Sequence, residues 1–284
     1  MIRVLSFGAG VQSTALLLMS CKGLLPKLDA AIFADVGWEP QKVYDHLEWS
    51  KKEAAKHGVP VHTVRATVGG LRSDIFNNIT RPDGKRFAAM PLFTVADDGS
   101  MGMGMRQCTN EYKIQPVLKF YRRKLLGLKH RQRAPKEAVI EQWMGISFDE
   151  ATRAKPSREK WIANVFPFLS WGCDYLDGKN WRRYQIIAWL EENYPDIEVP
   201  RSACIGCPYH SNKEWRKIKE SPEEWKDAVD FDAAIRTDKR TDKIVSLQFL
   251  HRSGQPLSEV DIRSDEEKGQ STLWDNECEG HCGV

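Results

Sequence analysis

A short apolar run that meets two glycines and two hydroxyls, then continues as a second apolar stretch at helical spacing, leaves a chain few folds to choose from. Residues Arg3 to Met19, RVLSFGAGVQSTALLLM, have this form. IRVLSF reads as a buried strand and STALLLMSCKGLL as a helix closed by Gly23. A glycine-bearing turn between strand and helix lets backbone N–H groups approach an anion at the positive end of the helix. Ser13 and Thr14 add hydroxyl donors there. The spacing is neither G-x-G-x-x-G nor a Walker loop with its Gly-Lys-Ser/Thr. By itself the stretch reads either as an anion cradle or as a tight turn with a helix cap.

The pattern repeats. LDAAIFADV predicts a second strand, QKVYDHLEWSKKEAAKHG an amphipathic helix ended by Gly58, and VPVHTVRA a third strand. From about Thr67 to Met105 it dissolves into glycines, prolines and GSMGMGM, a length expected of a functional lid or of local disorder. NEYKIQPVLKFYRRKLLG then predicts a helix, AVIEQWMGIS a fourth strand, and KNWRRYQIIAWLEENY and PEEWKDAVDFDAAIR two later helices. Strand–helix alternation with short joints implies an α/β chain: a Rossmann-like open parallel sheet with helices on both faces, followed by a cysteine-bearing C-terminal helical region. The expected division is a nucleotide-binding unit over 1–200 and a cysteine-bearing region with its tail over 201–284. In such a sheet ligands bind beyond the carboxyl ends of the strands. That edge would carry Asp35 and Gly37 from the second strand, and Gly145, Ser147, Asp149 and Arg153 from the fourth.

With 284 residues, 41% of them hydrophobic and 29% charged, the chain has the composition of a soluble globular protein, and no apolar run is long enough to span a bilayer. No signal peptide precedes the first strand, so a cytoplasmic location is expected. A net charge of +3 is too small to imply a nucleic-acid partner. The local block RRKLLGLKHRQR, Arg122 to Arg133, and the aromatic-flanked pair in NWRRYQ are read either as nucleic-acid contacts or as solvated helix faces. Seven cysteines in a reducing compartment point to metal or redox use.

Five stretches together resemble one family. SFGAGVQST resembles the pyrophosphate loop of the PP-loop, or adenine-nucleotide alpha-hydrolase, superfamily, and its Val-Gln is closer to the phosphoadenosine-phosphosulfate reductase branch than to members with Ser-Gly-Gly-x-Asp-Ser. ADVGWEPQKVY is similar to that branch's Asp-Thr-Gly…Pro-Glu-Thr-Tyr, and CTNEYKIQPV to its Cys-Cys-x-x-x-Lys-x-x-Pro-Leu, with Thr109 in place of the second cysteine. WMGISFDEATR is similar to its Gly-x-Arg-x-x-Glu-Ser-x-x-Arg, and ACIGCP to its late Cys-x-x-Cys. The resemblance spans Ser6 to Pro208. It implies ATP or a related adenine nucleotide, with Ser6, Gly8, Gly10, Gln12, Ser13, Thr14, Asp35, Gly145 and Ser147 as binding residues. Gln12 stands where much of the superfamily has aspartate, which bears on how Mg²⁺ is held.

Cys204 and Cys207, in CIGC, have the spacing of a metal knuckle that serves zinc or an iron–sulfur cluster, and also occurs in buried thiol pairs. Cys108 matches a cluster-ligand position of the related reductases, so the resemblance implies a [4Fe–4S] centre on Cys108, Cys204 and Cys207. Cys278 or Cys282 of the tail NECEGHCGV would complete it, or one iron stays open. Zinc on Cys204, Cys207, Cys278 and Cys282 is the competing arrangement. Cys21 reads as core, and Cys173 has no partner by spacing.

The function implied is ATP-dependent adenylation of a substrate, with release of pyrophosphate and then AMP, for sulfur transfer to tRNA or DNA. A sulfur-donor protein such as a cysteine desulfurase would supply the sulfur. Lys113, Arg153 and Ser147 are the candidates for stabilising developing charge. The alternatives are a sulfonucleotide reductase, a zinc-dependent deazaguanine-type amidation enzyme, and a nucleotide-sensing subunit without catalysis.

Overall fold

A computed structural model describes residues 1–77, 90–171, 173–237, 246–263 and 267. Strand β1 (Ile2–Phe7) leads into α1 (Val11–Cys21), β2 (Ala30–Ala34), α2 (Gln41–Lys56) and β3 (Val61–Val64). These bounds fall within the segments read from the sequence, except that α1 starts two residues before STALLLMSCKGLL, at Val11. The expected lid region instead contains, in its described part, α3 (Gly70–Phe76) and a hairpin of β4 (Phe93–Val95) and β5 (Met101–Met103). A single helical run follows: a π turn over Thr109–Ile114, α4 (Gln115–Phe120) and a second π turn over Tyr121–Leu125. Then come β6 (Ile140–Met144), β7 (Ile162–Val165), α5 (Arg183–Asn193), α6 (Asn212–Lys219), α7 (Pro222–Thr237) and β8 (Leu247–Phe249). Among the described residues no helix is long and apolar enough to cross a membrane.

The main sheet has the order β3-β2-β1-β6-β7 and every pairing is parallel. Alternation along the strands gives each face its own core. Leu5, Phe7, Ala31, Phe33 and Trp143 pack against Leu16 and Leu17 of α1, Val43 and Leu47 of α2, and Ile186 and Leu190 of α5. Val4, Ala30, Ile32, Ile140 and Ile162 pack against Val117 and Tyr121 of the helical run. The result is the helix–sheet–helix sandwich that the alternation implied. β7 was not among the expected strands: it is only four residues long and has little apolar run to mark it.

A third core lies over the carboxyl edge of this sheet. It joins Val36 and Trp38 of the β2–α2 connection to Leu71, Leu92, Tyr112, Ile205, Trp215, Phe231 and Leu250, so residues on both sides of position 200 contribute to it. The small sheet β5-β4-β8 belongs here, with β4 antiparallel to both neighbours. Its strands are three residues each, and β8 comes from a distant part of the chain, which leaves no local periodicity to read.

Candidate functional site

The strand order reverses at β1. The chain winds outward from β1 through β2 to β3, then returns to place β6 on the other side of β1. The carboxyl ends of β1 and β6 therefore flank a topological switch point, the place where open α/β sheets bind ligands. Two of the sequence-marked turns meet there. A Cβ added to Gly145, just beyond β6, would lie 2.9 Å from the Ser13 backbone nitrogen and 3.0 Å from Gln12 Cβ. Glycine is required at 145 because the start of α1 is pressed against its backbone.

The turn after β1 is built to present N–H groups. Ala9 adopts φ +58°, a left-handed conformation that costs a non-glycine residue about 1 kcal/mol or more. That kink aims the Gly8 and Gly10 N–H groups at one point. The Ser13 hydroxyl occupies it, accepting from Gly8 at 3.2 Å and from Gly10 at 3.3 Å. Both bonds are long, so an anion oxygen at this point would be the stronger acceptor. Gly8 is exposed and Gly10 half-buried, leaving the convergence open to the surface.

Gln12 reaches sideways from the turn. Its Nε2 donates to Glu150 Oε1 at 2.7 Å, and its Oε1 accepts from Arg183 Nη1 at 3.1 Å. Glu150 is also ion-paired with Arg153, so the expected Arg153 lies one carboxylate away from the turn. Thr14 points elsewhere: it is fully buried and shares a hydrogen bond of 2.9 Å with His46 Nε2 of α2. Burial without a charge partner pushes His46 down to about 4. Ser147 is also fully buried, and its hydroxyl has no hydrogen-bond partner among the described residues. Ser6 is half-buried near the end of β1, beside Met144 of β6.

Asp35 closes the carboxyl end of β2. Its buried carboxylate accepts from the Gly37 N–H at 2.7 Å, the Tyr44 hydroxyl at 3.0 Å and Arg65 Nε at 2.7 Å. With its oxygens engaged in this way, Asp35 shapes the β2–α2 connection. Lys113 lies 3.9 Å from the buried carboxylate of Glu39 in that same connection.

The cysteine turn comes to this edge through Ser202. Atoms of Ser202 lie 3.8 Å from a Cβ built on Gly8 and 3.7 Å from one built on Gly10, so the segment entering CIGC runs alongside the glycine turn. The turn itself is gripped from below and behind. The Ile205 N–H donates to the Trp38 carbonyl at 2.8 Å, and the indole of Trp38 lies under Gly206. His210 is buried, with Nε2 2.8 Å from the Cys204 carbonyl and Nδ1 3.5 Å from Glu214, which is paired with Arg201. Glu214 also closes a capping box with Ser211 at the start of α6. Sequence reading missed Trp38, Ser202, His210 and Glu150, although the S-x-x-E spacing of Ser211 and Glu214 marks the helix start.

Cys108 and Cys204 border the same apolar cluster, and burial pushes the Cys108 thiol up, against the pull of Arg106 and Lys113. Among the described residues no group of three or more His, Cys, Asp or Glu side chains is gathered closely enough to hold a metal ion. Cys278 and Cys282 lie outside the described residues. Cys21 packs against the main core, and its thiol is pushed up to about 11, chiefly by burial.

The basic block sits elsewhere. The chain from Leu125 to Ile140 joins the helical run to the start of β6, and Ile140 pairs with Ile2. The block is therefore at the amino edge of the sheet, about 20 Å from the glycine turn by strand length. Two of its arginines serve the local fold: Arg122 donates to the Gln132 carbonyl at 2.5 Å and Arg123 to the Leu128 carbonyl at 2.8 Å.

No protein-family model matches the chain, and no curated protein matches it either. Among solved structures the chain is similar to phosphoadenylyl-sulfate (PAPS) reductase from Candida auris in a phosphate complex, with 17% identity, 71% of this chain and 75% of that chain covered, and a TM-score of 0.42.

Proposed function

We propose that the crevice between β1 and β6 binds ATP and that the chain adenylates an acceptor for sulfur transfer, the acceptor being nucleic acid. One juxtaposition carries this reading: the segment leading into Cys204 lies against Gly8 and Gly10, which puts the cysteine turn beside the N–H groups that would hold phosphate. A fold that only needed a structural knuckle has no reason to seat it there.

The residues divide the work as follows. The Gly8 and Gly10 N–H groups and the Ser13 hydroxyl bind the departing pyrophosphate. An acceptor oxygen attacks the α-phosphorus, the bond to pyrophosphate breaks, and a sulfur nucleophile from a donor protein then displaces AMP. Arg153 and Lys113 at the same edge offset the charge that develops. Such a reaction depends on positioning and charge neutralisation and needs no protein nucleophile. Glu150, the carboxylate held at the turn by Gln12, would hold Mg²⁺, which would supply neutralisation of phosphate charge. The described cysteines do not by themselves make a complete ligand set, and no step is routed through a metal.

Incubation with ATP labelled at the α- and γ-positions tests the reading. AMP and pyrophosphate are expected in the presence of acceptor; ADP and phosphate would reject attack at the α-phosphorus. Release of sulfite from a sulfonucleotide, with no ATP turnover, would move the assignment to a reductase.

A further inference from the structure

If the acceptor is nucleic acid, the basic block is badly placed to deliver it, because it lies at the opposite edge of the sheet. A different surface adjoins the glycine turn. Beyond β6 the chain forms a 3₁₀ turn over Phe148–Arg153, and two later segments brace it. The Phe148 N–H donates to the Trp181 carbonyl at 2.8 Å, and the Trp181 N–H donates to the Phe168 carbonyl at 2.9 Å. The Ser170 N–H donates to Asn180 Oδ1 at 2.9 Å. This bracing brings three flat groups side by side. Trp171 meets Phe148 edge to face with centroids 6.1 Å apart, and the Arg182 guanidinium lies 5.2 Å from the centre of the Phe148 ring.

Phe148 is half-buried at the base of this surface, and the groups around it are exposed. Trp171 is 59% exposed and Tyr184, in the first turn of α5, 67% exposed. Arg182 and Arg183 between them are exposed as well. The carboxylate among them, Asp149, is neutralised locally, lying 3.3 Å from Arg182 Nη1 and accepting from the Arg183 N–H at 2.6 Å. Arg183 also donates to Gln12, so the patch is continuous with the turn that would hold phosphate.

We infer that the patch of Trp171, Phe148, Arg182 and Tyr184 is the docking surface for a single-stranded segment of the nucleic-acid acceptor, an inference that rests on the proposed acceptor class. Exposed rings interleaved with guanidinium groups suit unpaired bases, which stack on both, while the cations meet the backbone phosphates. A duplex hides its base faces and gains nothing from Trp171. Trp, Tyr and Arg serve protein partners as well, but the hydrogen bond from Arg183 to Gln12 joins this patch to the turn that would hold phosphate, which is where an acceptor strand undergoing adenylation must lie.

The test is fluorescence anisotropy of a labelled 20-nucleotide single strand and of the matching duplex at low salt, with ATP affinity measured in parallel. Trp171→Ala is expected to weaken single-strand binding about five- to a hundredfold, the worth of one stacked base, and Trp171→Phe to restore most of it. Arg182→Ala should weaken binding and flatten its salt dependence. ATP affinity should be unchanged in Trp171→Ala, which also reports that the variant is folded. Single-strand binding that survives both alanine variants but is lost in Arg131→Glu with Arg133→Glu overturns the inference and places the acceptor at the amino edge. Duplex bound as tightly as single strand overturns the stacking argument. Absence of binding to either form by the wild-type protein overturns the acceptor class itself and leaves the patch to a protein partner, whereas ATP turnover to AMP would still stand.

Discussion

The indole of Trp38 fills the space where Gly206 would carry a side chain: a Cβ there would fall 2.1 Å from Cη2 of the ring. Trp38 is itself immobilised. Its Nε1 donates to Asp227 Oδ2 at 2.6 Å, Asp227 is paired with Arg72 at 2.8 Å, and the ring packs 4.6 Å from that of Phe231. The middle of CIGC thus rests on a ring that cannot yield cheaply.

Gly206→Ala should therefore destabilise the fold by about 1–3 kcal/mol through overpacking. Urea unfolding would measure this, and Gly206→Ala combined with Trp38→Leu should recover part of the loss. A single variant as stable as wild type would show that the turn does not bear on Trp38.

Gly10 makes the opposite prediction. Its backbone conformation, φ −104° and ψ 176°, suits any residue, and among the described residues an added Cβ meets only Ser202, at ordinary contact distance. Gly10→Val should fold with near-native stability yet lose ATP binding, because the side chain takes the room that phosphate needs. Ser13→Ala should cost about 1 kcal/mol of nucleotide affinity or somewhat more. Calorimetric titration decides both, and unchanged affinity in the valine variant ends the phosphate assignment.

His46 makes the fold acid-sensitive. Its folded value, about 4, lies below the ordinary 6.5, so the unfolded chain binds the proton more readily. The stabilisation is complete above about pH 6.5 and is lost as the pH falls toward 4, to a total of roughly 3 kcal/mol. Urea midpoints at neutral pH and at about pH 5 should show the decline, and His46→Gln should flatten it. An undiminished decline in the glutamine variant would assign the effect to other groups.

The cysteines are tested by metal analysis. Anaerobically purified protein is expected to be brown and to carry iron and acid-labile sulfide. Cys108→Ala, Cys204→Ala and Cys207→Ala should each bleach it while ATP binding survives. Loss of iron in Cys278→Ala or Cys282→Ala would make the site closed, and retention in both would leave one iron open. Colourless protein with stoichiometric zinc would remove the cluster and weaken the sulfur-transfer reading with it.

What the sequence by itself determined is whatever local periodicity encodes. The first three strands, α1, α2 and the glycine turn were legible because each is specified within a few residues: alternating or continuous apolar runs, a helical stripe, a glycine where the chain must bend. The parallel sheet followed from their alternation. Only the tertiary structure decided which of those residues meet. Gly145 against Ser13, Ser202 against Gly10, and Trp38 under Gly206 are contacts between segments more than a hundred residues apart, and no spacing records them. The same holds for β8, which pairs with β4 across some 150 residues. Thr14 and the basic block show the converse. Both were read by residue type, yet burial turned the Thr14 hydroxyl toward His46, and the direction of β6 put the arginines at the far edge. Residue type sets what a side chain can do, but the packing of the cores sets what it faces.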